Sequence, residues 1–267
     1  MPVGYSIYVE KPSPIHQQID PRTKLVALGT SFALALLFNN PVYLGILVVA
    51  VIAIGLYAQI PLKNFRVYLF FSLWFIILGV VIWPFYIHQG VVLLQRGGVQ
   101  ITLDGLLFGL AMGLRVALMV TAAGVWMMVT SPQHMTLGLL RLGLPYKAGM
   151  AMSATIRFVP LINAERATIV EAQRARGLDL SRGNPFQRAL RYIAVIGPML
   201  VRALDLAQSL ALAMEARAFG ARHSRTSITE IHMTRKDWYI MLGCALLVVA
   251  AIVMRILGIG ILVRGYL

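Results

Sequence analysis

Long apolar stretches broken by short polar joints organise the first half of the chain. The first follows Asp20-Pro21-Arg22-Thr23-Lys24 and runs from Leu25 to about Phe38, where Asn39-Asn40-Pro41 interrupts it. The second runs from Val42 to about Tyr57. Asn-Pro between two apolar runs is a turn signal, so the pattern predicts a tight helical hairpin and not one continuous helix. Each arm is short for a hydrocarbon core about 30 Å thick. A third run covers Val67 to Tyr86, and a fourth covers Leu103 to Val129. A Gly- and Gln-containing loop around Gln95-Arg96-Gly97-Gly98 separates them. A last run starts after Arg235-Lys236 and extends from about Trp238 to Leu257.

Between Ser131 and Lys236 the pattern stays helical but loses its charge-free runs. This segment predicts a short helix from Pro132 to about Gly143. A long helix follows from Tyr146 to about Arg176, with a kink at Pro160 and a cap at Gly177. A second long helix runs from Pro185 to about Phe219, with a kink at Gly197-Pro198 and a stop at Gly220. Asp179 to Pro185 is the connecting turn. The expected fold class is an all-α polytopic membrane protein: about five transmembrane helices and a cytoplasmic helical domain with two long crossing helices. The domains read 1–130 (N-terminal arm and spans one to four), 131–236 (helical domain) and 237–267 (last span).

Composition agrees. Apolar residues make up 59% of the 267 positions and charged residues 13%, and the mean hydropathy is +0.77. A soluble domain carries about 25% charge, so this surface needs a solvent other than water. Runs of this length without ten-residue alternation favour helices over a membrane barrel. The net charge is +14. Nucleic-acid binding is one reading of such a charge, but here the basic residues flank apolar spans. Lys11, Arg22 and Lys24 precede span one, Lys63 and Arg66 separate spans two and three, and the basic 131–236 segment follows span four. With five spans all of these fall on one side, which is the cytoplasm by the positive-inside rule. The N-terminus is then inside and Arg264 outside, in a bacterial or archaeal cytoplasmic membrane.

Cys244 is the only cysteine, and the five histidines lack ligand spacing, so neither a disulfide nor a metal site is expected. Residues 1–22 lack the apolar core of a secretory signal. There is no GxxxxGK[ST] loop, no HExxH, no Ser/His or Ser/Lys set, and no carboxylate pair within the spans. The expectation is a non-catalytic chain that binds no cofactor directly.

Candidate contact residues lie on the helices. The two long cytoplasmic helices end alike, in Ala175-Arg176-Gly177 and in Ala216-Arg217-Ala218. An arginine between small residues is open to a partner and can pair bidentately with a carboxylate. Complementing the helix dipole is the plainer role for such an arginine. Ala164, Thr168 and Ala172 share a face with Arg176, and Ala203, Ala207 and Ala211 repeat that spacing on the next helix. Such stripes suit a close crossing. Gly105, Gly109 and Gly113 form a GxxxGxxxG face on span four, whose contact could be internal or with another subunit. Arg115, inside that span, is either a functional charge or a structural partner of backbone carbonyls. The thirteen methionines are lipid-facing or core filler, with an adaptable partner surface as the alternative.

Asp20-Pro21-Arg22-Thr23-Lys24, Leu142-Gly143-Leu144-Pro145, Arg157-Phe158-Val159-Pro160, Ala172-Gln173-Arg174-Ala175-Arg176-Gly177 and Glu215-Ala216-Arg217-Ala218-Phe219-Gly220 together resemble the transmembrane T component of energy-coupling factor transporters. The resemblance runs from about residue 15 to the last span, and Ala218 departs from the Ala-Arg-Gly form of the motif. It implies a scaffold whose coupling helices seat in two ABC ATPases, with Arg176 and Arg217 as ATPase-contacting residues. ATP and Mg would be used by those partners. A small substrate-binding membrane subunit, the S component, would take up vitamins or transition-metal ions. The alternative is a self-sufficient ABC-type permease lining its own solute path.

Overall fold

The structure, a computed structural model, describes residues 19–60, 62–87, 91–96, 99–178, 184–221 and 233–258. The arm before residue 19, the 179–183 part of the expected turn and the 222–232 segment lie outside the described residues. Eight helices are seen among the described residues: α1 Pro21–Leu37, α2 Pro41–Tyr57, α3 Leu62–Ile82, α4 Leu103–Val129, α5 Pro132–Arg141, α6 Tyr146–Ala175, α7 Pro185–Ala216 and α8 Arg235–Ile256. The fold is all-α, with one small insertion. Where a loop was expected between α3 and α4, strands β1 (Val92–Arg96) and β2 (Val99–Thr102) form an antiparallel ribbon with Arg96 opposite Val99. Val92, Val99, Ile101 and Thr102 are β-branched, which suits a pleated strand.

The chain divides into two compact units. One is Met1–Gly143 with Ile231–Leu267; the other is Leu144–Glu230. The short helix α5 therefore joins the apolar bundle and not the helical domain expected to begin at residue 131. A Cβ on Gly138 would lie 3.0 Å from Pro21 Cβ, so α5 packs directly on the start of α1.

Polar caps fix the helix ends in the bundle. The Asp20 side chain accepts from Arg22 N at 2.9 Å, and Pro21 pre-sets the first helical φ of α1. Asn40 repeats this at α2, accepting from Val42 N at 3.0 Å ahead of Pro41. The Asn39-Asn40-Pro41 signal thus becomes a real turn between two 17-residue helices. Thr102 caps α4 by accepting from Gly105 N at 3.2 Å while its hydroxyl donates to Ile87 O at 2.9 Å. α8 starts three residues earlier than expected, because Asp237 accepts from Thr234 N at 2.8 Å and from Thr234 Oγ1 at 2.7 Å.

α4 is the centre of the bundle. Its Gly105, Gly109 and Gly113 meet the stretch from α3 to Ile87, so the glycine face is an internal contact. A Cβ on Gly109 would come within 2.6 Å of Gly79 O, and one on Gly113 within 2.6 Å of Ile76 Cα. Gly79, which the sequence pattern did not single out, completes the close approach from α3. On the opposite side α1 lies antiparallel along the second half of α4. Lys24 Nζ donates to Val129 O at 3.2 Å at one end. At the other, Arg115 Nε donates to Ala35 O at 2.9 Å and Arg115 Nη2 donates to Phe38 O at 3.1 Å and to the Asn39 side chain. Leu34, Ala35, Leu44, Val48, Ala111, Leu118 and Ala251 fill the core between these helices.

Helices α3, α4, α7 and α8 are long and apolar enough to cross a bilayer; α1 and α2 are shorter. α7 differs from the other three in carrying Arg188, Arg191, Arg202 and Asp205 along its length.

Candidate functional site

The second unit is an antiparallel pair, α6 and α7, each continuous through its internal proline. Three contacts fix its register along the whole length. Tyr146 and Phe219 rings lie 5.8 Å apart. Arg202 pairs with Glu165 at 3.3 Å. Gln173 Nε2 donates to Ala194 O at 3.1 Å. Val195 is buried on the α7 face. Half-buried Ile162, Glu165, Ile169 and Gln173 on α6, with Tyr192, Met199, Ala203 and Leu206 on α7, follow three- and four-residue spacing. That is the spacing of a helix–helix seam.

Apart from Ala203, the small-residue stripes are not this seam. Ala164, Thr168, Ala172, Ala207 and Ala211 are exposed, and only Ala203 is half-buried. The expectation that they pack α6 against α7 is therefore corrected. Bulkier residues one position away, Glu165, Ile169, Gln173 and Leu206, take the seam.

The two arginine ends share one geometry. At the end of α6, Gly177 N donates to Arg174 O at 2.9 Å and Leu178 N to Gln173 O at 3.0 Å, with Gly177 at φ +89°. At the end of α7, Ala218 N donates to Glu215 O at 2.8 Å and Phe219 N to Met214 O at 2.9 Å, with Ala218 at φ +53°. Both are Schellman caps, and in both the C-cap residue is the arginine, Arg176 or Arg217. α7 thus ends at Ala216, short of the expected Phe219; Ala218 takes the left-handed position, and Gly220, the expected stop, follows two residues later at φ +100°. Ala175, Arg176, Gly177, Ala216, Arg217 and Ala218 are all exposed. The cap turns the chain away and leaves each guanidinium at the tip, beside the negative end of its helix dipole.

Because the helices are antiparallel, these tips lie at opposite ends of the pair. Gln173 is level with Ala194, so Arg176 is level with about residue 191. Arg217 is about 26 residues further along α7, on the order of 40 Å at 1.5 Å per residue.

The remaining candidates are structural. Arg115 caps the last carbonyls of α1, joined there by Arg255 Nη1, which donates to Leu36 O at 3.4 Å. The Asp20-Pro21-Arg22-Thr23-Lys24 motif is a knot. Its Asp20 N donates to Asp237 Oδ1 of α8 at 2.9 Å, and its Lys24 holds the end of α4. Asp237, fully buried, was missed in the sequence; a lone acid just before a predicted span was its one signal.

An apolar bundle knotted at one end, and a basic helix pair with twin arginine tips, define a multi-pass helical membrane protein. Comparison with known proteins gives the family. The chain matches the family described as CbiQ, cobalt transport protein, over residues 12–228. Its curated relatives include the energy-coupling factor transporter transmembrane proteins EcfT of Acidaminococcus fermentans, Thermosediminibacter oceani and Brevibacillus brevis. The first is 30% identical over 84% of this chain and 85% of its own length. The second is 30% identical over 93% and 96%. The third is 32% identical over 91% and 94%. This chain belongs to that family, the transmembrane components of energy-coupling factor transporters.

Proposed function

We propose that the chain is a non-catalytic energy-coupling scaffold. The α6–α7 pair seats its two ends in two ABC ATPases, and the membrane bundle carries a small substrate-binding subunit for a vitamin or a transition-metal ion. ATP and Mg are then handled by the ATPases, and this chain binds no cofactor itself. The observation that carries the reading is the twin C-cap arginines on matching caps at opposite ends of one hairpin. A single rigid body with two like ends, about 40 Å apart, can engage two copies of a like partner at once. An arginine at an exposed tip suits a carboxylate in a groove.

The same reading places the chain in a bacterial cytoplasmic membrane with its N-terminus inside. α1–α4 and α8 form the membrane part. α6, which carries Arg157, Glu165, Arg166, Glu171 and Arg174, stays in the cytoplasm with its partner α7.

The test is the double change Arg176→Glu with Arg217→Glu, compared with Arg166→Glu with Arg188→Glu as a control for charge. Loss of one buried partner in an interfacial charge pair costs roughly 2–5 kcal/mol, and reversal at both ends removes the avidity that hides a single change. ATPase co-purification and uptake fall in the first pair and hold in the second. Equal loss in both pairs assigns docking to bulk charge. Full uptake in the first pair refutes the coupling role. A self-sufficient permease would instead show saturable solute binding by the purified chain alone.

A further inference from the structure

The unit Leu144–Glu230 joins the bundle at two places along the chain, Gly143–Leu144 and Glu230–Ile231. The bundle segments next to these two places are tied to one and the same turn, the first turn of α1. On the outgoing side, α4 ends at Val129 and α5 covers Pro132–Arg141. Lys24 Nζ donates to Val129 O at 3.2 Å, and a Cβ on Gly138 would lie 3.0 Å from Pro21 Cβ. Leu142 to Pro145 alone then separate α5 from α6. On the returning side, Asp237 uses both carboxylate oxygens. Its Oδ1 accepts from Asp20 N at 2.9 Å, and its Oδ2 accepts from Thr234 N at 2.8 Å and from Thr234 Oγ1 at 2.7 Å.

Asp20, Lys24 and Asp237 are all buried. Buried charged groups are a poor source of stability, since apolar side chains of like volume often hold helices as well or better. Directional hydrogen bonds add a fixed register. Here the register is that of two separate chain segments against one helix end. That helix is also held at its other end, where Arg115 donates to Ala35 O and Phe38 O.

We infer that the first turn of α1 is the anchor through which movement of the α6–α7 pair reaches the membrane bundle, with Asp20, Pro21, Lys24 and Asp237 as its positioning residues. On the scaffold reading, on which this rests, the ATPases supply the movement and the ties supply its route. If one connection alone were tied, a displaced pair would swivel about it and leave the bundle at rest. With both tied to one turn, the pull along the chain falls on α1. A hydrogen-bonded helix is a rigid element and carries a displacement from end to end.

Spin labels read this route without a substrate. In the full-length Cys244→Ser chain, purified with its ATPases, labels on Leu36→Cys of α1 and Leu73→Cys of α3 report on the bundle. Labels on Leu212→Cys of α7 and Leu73→Cys report on the helix pair. All three positions are exposed. Pulsed electron resonance measures each distance with magnesium ADP and after trapping with magnesium ATP and vanadate. Both distances should shift in the parent chain. Lys24→Met removes the donor to Val129 O, and Asp237→Asn turns one of the two acceptors into a donor. Each should keep the α7–α3 shift and lose the α1–α3 shift. Lys24→Arg, which retains a donor, should keep both. A disulfide between Pro21→Cys and Gly138→Cys, formed before labelling, should leave both shifts in an otherwise unaltered chain and restore the α1–α3 shift to Lys24→Met. The disulfide arm in the unaltered chain decides the point even where Lys24→Met or Asp237→Asn fails to fold: loss of the α1–α3 shift there means that the tie opens during the cycle, and overturns the anchor. An α1–α3 shift that survives both variants, or is absent from a parent whose α7–α3 distance moves, overturns the anchor and leaves the scaffold reading intact. Loss of both shifts in the variants makes the ties supports of the fold alone, and also overturns it. No shift of either distance in the parent refutes the scaffold reading itself, and the anchor with it.

Discussion

Arg176 and Arg217 occupy the same position in the same kind of helix end, one turned by a glycine and the other by an alanine. The backbone hydrogen bonds match donor for donor. What differs is the cost of the left-handed residue. Gly177 adopts φ +89° freely, whereas Ala218 at φ +53° brings its Cβ close to the following carbonyl.

Ala218→Gly should therefore stabilise the α7 cap. The αL relief of about 1–2 kcal/mol exceeds the extra unfolded-state entropy of glycine, leaving a gain of roughly 0.5–1 kcal/mol. Thermal melting of the purified chain reads this, and ATPase co-purification should be unchanged. A lower melting temperature would mean that the alanine conformation is not strained.

Arg115→Met should destabilise the bundle by about 2–4 kcal/mol. It leaves the Ala35 and Phe38 carbonyls and the Asn39 amide without their donor, at about 1–3 kcal/mol for each unmet group. Arg115→Lys should recover only part of this, because an ammonium lacks the fork that reaches several acceptors. Equal stability of wild type and Arg115→Met would show that water or lipid serves those groups.

Gly109→Ala should separate α3 from α4. The new Cβ falls 2.6 Å from Gly79 O, a backbone atom that cannot rotate away. Overpacking of this kind costs about 1–3 kcal/mol. Gly45→Ala, with nothing within 4 Å of its Cβ, is the control and should leave stability unchanged. Chemical denaturation in mixed micelles measures both.

Thr168→Leu with Ala207→Leu should leave the α6–α7 pair intact, within about 0.5 kcal/mol, since both positions are exposed surface. If assembly with partners nevertheless falls, the stripes are a partner's contact face. Melting of the hairpin itself would return them to the seam.

The sequence pattern found what depends on neighbours in the chain. Asn40 and Pro41 marked the turn between α1 and α2, Pro185 marked the start of α7, and Gly177 marked the end of α6. Each acts within a few residues of itself. It missed what depends on distant partners. Asp20 and Asp237 meet across most of the chain, and neither the aspartate–proline start nor a lone acid before a span names the other. Gly105, Gly109 and Gly113 announced a close contact without announcing Gly79. Ala218 carried no mark of a left-handed turn, since alanine ordinarily avoids it. The alanine stripes misled because small residues at helical spacing describe both a seam and a bare face. The choice was made by the bulkier residues beside them.

The short helix α1 has a consequence for the membrane itself. Seventeen residues rise about 25 Å, less than the roughly 30 Å of hydrocarbon a bilayer presents. In a bilayer spanned by α1, Asn39 and Asn40 would lie below the level of one leaflet's head groups, with Arg115 beside them halfway along α4. Amides and a guanidinium do not rest in oil, so the leaflet must dimple or water must descend to them, at a fraction of a kcal/mol per ångström of mismatch. A thinned patch of bilayer would then travel with the protein. A partner that tilted or turned in the membrane beside α1 and α2 would meet a shallower barrier there than elsewhere.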